Sequence, residues 1–143
     1  MAHAILESEV ARRSLPIKVY SAGVSDFTDT CPADAAWITC LQHGTPISKF
    51  SATFVRDLDL SRTVRIFIME PAHHEVLASL RPDISAPVTL LGQFDPKQRG
   101  TTIEDPMNQR VLAFERCYSR LRDCINHYLD TTNDFNRSAQ PKN

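Results

Sequence analysis

Apolar Ala2, Leu6 and Val10 fall four residues apart, with Glu7 and Glu9 between them and Arg12 and Arg13 after, which is the period of one helix face. The pattern predicts a helix over 2–13, ended at Ser14-Leu15-Pro16 because proline cannot donate a helical N–H and crowds the preceding turn. Ile17-Lys18-Val19-Tyr20 alternates with a period of two into Ser21-Ala22-Gly23, predicting a short strand closed by a turn. Val24 to Cys31 is polar and turn-prone. Pro32 is placed to open a helix over 33–43 through Ala35, Trp37, Ile38 and Leu41, with Gly44 as its stop. The stretch around Phe54-Val55, after Thr45-Pro46-Ile47, shows no clear period and predicts no element. Thr63 to Met69 is β-branched, aromatic and almost continuously apolar, as a strand buried in a parallel sheet is. A helix over 71–80, a second buried strand at Val88-Thr89-Leu90-Leu91 and a long loop from Gly92 to Asn108 follow. Val111, Phe114, Tyr118, Leu121, Ile125 and Leu129, spaced by three and four, predict an amphipathic helix over 109–129.

Helices alternating with strands predict an α/β fold, a three-layer sandwich around a parallel sheet. Residues 1–130 read as one domain and the polar stretch 131–143 as a disordered tail. Chemistry in such folds collects at the carboxyl ends of strands, where a strand feeds a loop and a helix N-terminus that can face an anion. Here the first helix has no strand before it.

Composition narrows the function classes. The 16 Lys and Arg are offset by 17 Asp and Glu, a net charge of −1, so binding nucleic acid through phosphate neutralisation is disfavoured. The apolar run Ile66-Phe67-Ile68-Met69 is bounded by Arg65 and Glu70, far short of a membrane span. The first residues carry no basic segment and reach Glu7 and Glu9 at once, so the expected location is the cytoplasm.

Four cysteines raise the questions of disulfides, metal and catalysis. Cys117 and Cys124 lie seven apart on one predicted helix, about 10 Å along its axis, too far for a disulfide. Reduced thiols are therefore expected. Cys40, Cys117 and Cys124 sit among apolar residues and read as packing, which leaves Cys31, in a loop, as the thiol to watch. No C-x2-C occurs, and His73-His74-Glu75 lacks the second histidine of a zinc-binding helix, so no metal or cofactor is expected. His73 and His74 read as a solvated helix face. Trp37 and the stripe Val111-Phe114-Tyr118-Leu121 read as core.

Several segments together resemble the low-molecular-weight protein tyrosine phosphatase family: Met1-Ala2-His3-Ala4-Ile5-Leu6, Ser21-Ala22-Gly23-Val24-Ser25-Asp26-Phe27, and Leu90-Leu91-Gly92-Gln93-Phe94-Asp95-Pro96. Ile103-Glu104-Asp105-Pro106 adds the family's Asp-Pro loop ahead of the last helix, and the similarity runs to about residue 129. The resemblance implies that Asp105 is the general acid, that Phe27 walls the substrate cleft, and that Ser21 stands where a serine bonds toward the phosphate loop. Met107 and Asn108 stand where the family usually carries Tyr or Phe, and Phe50 falls where it has a loop-supporting histidine.

Members of the family begin with a strand and a C-x5-R loop that supplies the nucleophile and grips phosphate. Six residues after Cys31, Cys40, Cys117 and Cys124 stand Trp37, Pro46, Asp123 and Asp130, so this sequence contains no C-x5-R. The expectation is thus a tyrosine phosphatase by family whose chain as given is inactive, its true start lying upstream. The alternative is a non-catalytic interaction protein or remnant. Arsenate reduction would need further cysteines near Glu70, where none stands. The implied partner is a phosphotyrosine-containing protein for a form with the loop, and a sheet without its first strand is expected to be unstable and to self-associate.

Overall fold

The computed structural model describes residues 1–26, 31–48, 52–132 and 134–136. Phe27 and Phe50 lie outside the described residues. Helix α1 spans Ala2–Arg12 and buries Ala4, Ile5 and Val10, with Ala2 and Leu6 at the rim of the core. Its end is stopped by Ser14, whose positive φ of 53° turns the chain away while the Leu15 N–H still bonds the Val10 carbonyl at 3.0 Å.

The strand expected at Ile17–Tyr20 does not form. An alternating pattern becomes a strand only where a neighbour offers a hydrogen-bond ladder, and no described residue pairs with this stretch. Pairing begins two residues past Ser21, where Gly23 bridges Phe54 through Gly23 N–H to Thr53 O at 2.8 Å and Val55 N–H to Gly23 O at 3.0 Å.

Helix α2 spans Asp34–Gln42 and corrects the reading of Trp37 as core: Trp37 is 41% exposed, and Ile38 and Leu41 also face outward. Thr39 and Cys40 are the buried pair instead. α2 is apolar on almost every side, so periodicity could not choose its inner face. The small side chains let it approach the last helix, where His43 stacks on Tyr118 at 4.2 Å and bonds Glu115 at 2.7 Å.

Strands β1 (Ile66–Ile68) and β2 (Val88–Leu90) pair in parallel, with Ile66 opposite Val88 and Ile68 opposite Leu90. Helix α3, Ala72–Leu80, connects them. Alternation along β1 sorts the two faces of the sheet. Ile66 and Ile68, with Val88 and Leu90, pack against Val55 and Leu77 on the α3 side, whereas Phe67 and Met69 face the larger core of α1, α2 and the last helix. These are the three layers.

Helix α4, Val111–Thr131, buries Phe114, Tyr118, Leu121, Cys124, Ile125, Tyr128 and Leu129. Val111 was expected among them and is exposed, because the first turn of α4 overhangs the core. Order continues beyond residue 130, where the sequence reads as tail. Asp134–Asn136 form a short 3-10 turn. The Arg65 guanidinium donates to Asp134 at 2.5 and 3.2 Å and the Tyr128 hydroxyl donates to it at 2.9 Å, while Phe135 packs edge-on to Tyr128. Residues 137–143 lie outside the described residues.

Candidate functional site

The loop after β2 is folded back to the carboxyl end of β1, where the Ile103 N–H bonds the Met69 carbonyl at 3.0 Å. A tight turn starts this return. The carbonyl of Gly92 accepts from Asp95 N–H (3.2 Å) and Gly100 N–H (3.0 Å), and a Cβ at Gly92 would sit 1.9 Å from the Thr101 carbonyl oxygen. Only glycine permits that approach.

Asp95 then fastens the loop from inside. It is only 4% exposed; its Oδ1 accepts from the Lys97 and Gln98 N–H groups at 2.8 and 3.0 Å, and its Oδ2 from Arg120 Nε at 2.7 Å. Burial by itself would raise this carboxyl; the Arg120 guanidinium and the two backbone donors overcome it and hold the group below the usual carboxylate range. Arg120 also donates to the Thr102 carbonyl at 2.7 Å and to the Thr101 hydroxyl.

Beyond buried Ile103 the chain surfaces at Glu104-Asp105 and dips again at Pro106. Asp105 is exposed, and its Oδ1 accepts from the Met107 N–H at 2.9 Å, closing the turn on itself. Gln109 ties the far side, its side-chain amide donating to the Asp105 carbonyl at 3.3 Å and its N–H to Pro106 O at 3.0 Å. Met107 is half exposed at the tip of this turn.

Two further sequence-predicted features have defined contacts. The Cys117 thiol contacts the Glu104 carbonyl at 3.8 Å, one residue before Asp105. The loop just before Asp105 therefore lies against this part of α4. Ser21 lies against the first turn of α1, its hydroxyl 2.7 Å from His3 Nδ1. Ser21 thus sits at the first turn of α1, and the turn that carries Asp105 lies beside Cys117 of α4.

Three of the four thiols are a poor match for nucleophiles. Burial pushes Cys117 and Cys124 up to about 11, and Cys40 is raised by burial as well. Cys31 is exposed, ahead of α2. Among the described residues no group of three His, Cys, Asp or Glu side chains is arranged to hold a metal. Sequence reasoning missed Arg120 and gave Asp95 no role. The available signal was Asp95-Pro96 opening a turn, together with an arginine one helical turn beyond Cys117.

Three phosphatases are among the solved structures that share this fold. Tyrosine phosphatase AmsI of Erwinia amylovora superposes with a TM-score of 0.78 at 20% identity over 92% of this chain and 83% of that one. The low-molecular-weight tyrosine phosphatase of T. tengcongensis gives 0.81 at 19% identity over 92% and 88%. The YwlE arginine phosphatase of Geobacillus stearothermophilus gives 0.78 at 17% over 99% and 89%. No curated protein sequence matches the chain. The family profile described as low molecular weight phosphotyrosine protein phosphatase matches residues 1–139, and the chain belongs to that family.

Proposed function

We propose that the chain carries the acid half of a phosphotyrosine phosphatase site, with Asp105 as proton donor and Phe27 and Met107 bordering the substrate, and that the 143-residue polypeptide alone does not hydrolyse phosphate esters. The observation behind the second clause is the state of its thiols. Burial pushes Cys117 and Cys124 up to about 11, where about one thiol in 10,000 is thiolate at neutral pH, the reverse of what attack on phosphorus requires. No cysteine is followed six residues on by the arginine that would grip the phosphoryl oxygens.

In a polypeptide that also supplies a C-x5-R loop, the chemistry of Asp105 is defined by its position on an exposed turn. As the thiolate sulfur bonds to phosphorus and the P–O bond breaks, the Asp105 carboxylic acid gives its proton to the leaving oxygen. The resulting carboxylate then takes a proton from water as the water oxygen bonds to phosphorus and the S–P bond breaks. The partner in this reading is a phosphotyrosyl protein, neither nucleic acid nor membrane. No described helix is long and apolar enough to cross a bilayer, and four free thiols suit a reducing cytoplasmic setting.

A second reading, a non-catalytic interaction protein, is favoured by Met107, which offers a flexible thioether where an aromatic wall would select the tyrosyl ring. The test is hydrolysis of p-nitrophenyl phosphate by the 143-residue chain. No turnover above a heat-denatured control is expected; turnover that disappears in Asp105→Asn would sink the inactive reading.

A further inference from the structure

We propose that Arg120, held by Asp95, is a positioning residue that sets the place of Asp105. The inference takes its functional meaning from the reading of Asp105 as proton donor, but its geometry stands independently. Arg120 and Cys117 are three residues apart and share one face of α4, and along that face the loop is held twice. Arg120 grips Thr101 and Thr102, and the Cys117 thiol meets the Glu104 carbonyl. The loop therefore runs back along α4, with its last hold on that helix one residue before Asp105.

Each arm of Arg120 has a different task. Nε meets a carboxylate that is itself fixed by two backbone N–H groups, so the guanidinium plane is oriented before it reaches the loop. The remaining two nitrogens meet the backbone carbonyl of Thr102 and the hydroxyl of Thr101, so the same plane decides where the loop emerges. A planar fork with five donors can satisfy all three partners at once, whereas a lysine ammonium is a point charge on a flexible stem. Asp95 cannot leave: a buried carboxylate without its cation is costly. The Ile103 contact to Met69 pins the other side of the loop to β1, leaving the turn at Asp105 little freedom to drift. A proton donor misplaced by an ångström loses most of its advantage.

The clamp is read in the 143-residue chain by amide NMR. The Met107 N–H bonds the Asp105 carboxylate, so its shift steps as that carboxylate titrates and reports how the two are arranged. In Arg120→Ala, we expect that step to shrink, and the amides of residues 101–107 to exchange at least about tenfold faster, with α1 and the β1–β2 pair unchanged. Arg120→Lys keeps a cation beside Asp95, so it preserves the fold; it should still shrink the Met107 step and weaken the loop protection. A wild-type step and wild-type exchange in the lysine variant would overturn the proposal. Protection lost equally in every element would overturn it too, because Arg120 would then serve stability alone. Neither measurement depends on hydrolysis, so a clamp can be established or refuted whether or not Asp105 ever protonates a leaving group.

Discussion

Asp105 and Arg120 show how unevenly single residues declare themselves. The turn at Asp105 was legible as an Asp-Pro turn, and the proton-donor role came only from the family resemblance of Ile103-Glu104-Asp105-Pro106. Arg120 was not legible, since it is one of three arginines at 116, 120 and 122 whose helical positions differ by only a few residues and whose partners are distant in sequence. Burial of polar groups is equally silent in sequence. Thr39 is fully buried on α2, and its hydroxyl has no hydrogen-bond partner among the described residues. Folding strips that hydroxyl of water without replacing it, at a cost of about 1–3 kcal/mol. Thr39→Val keeps the shape and removes the group. The variant should be more stable by about 1 kcal/mol, raising the thermal midpoint by roughly 2–5 °C; a lower midpoint would mean that the hydroxyl is doing something useful.

Elements were legible to the degree that their own residues decide them. α4 was the clearest, because seven buried positions repeat at spacings of three and four over 21 residues. α2 was legible as a helix but not in its orientation, and Ile17–Tyr20 was misread because a strand is a property of two segments. The turn at Asp134–Asn136 could not be read at all, since its order comes from Arg65, 69 residues away. The Arg65 guanidinium, opposed by partial burial and helped by the Tyr128 hydroxyl, holds the Asp134 carboxyl below its ordinary range. A depressed carboxyl contributes its stability above the unfolded value, near pH 4, and loses it as the pH falls through the lower folded value. The turn should therefore stay docked from pH 7 to about pH 5 and come away below about pH 4. Tyr128 near-ultraviolet dichroism should follow the release, and Asp134→Asn should remove its pH dependence; a transition in wild type centred above pH 5 would assign it to another group.

At the scale of the whole molecule, the weakest part is the sheet. Its described portion is two strands of three residues, and β1 is laddered to β2 alone. Two short strands are marginal without support, and an open edge invites pairing with another chain. The helices on both faces hold these strands, but among the described residues no second strand is laddered to β1. The 143-residue chain should accordingly show a concentration-dependent increase in mass by light scattering. A monomer at every concentration that melts in one sharp transition would contradict this. The fold class was legible from the alternation of helices and strands, whereas the extent of pairing was not, because edge satisfaction depends on which segments meet.

The packing of α1 against α4 imposes an order in time. Ile5 near the start of the chain shares its core with Tyr118, Leu121, Ile125 and Leu129 near the end. During synthesis, which proceeds at about 5–20 residues per second, the first helix emerges long before the residues that cover it exist. Its apolar face must wait, exposed to water and to other chains, until α4 has left the ribosome. The acid loop waits as well, because Arg120 is made after every loop residue it holds. Docking of α1 is possible only once α4 has been made, and the exposure of its apolar face to misassembly lasts until then.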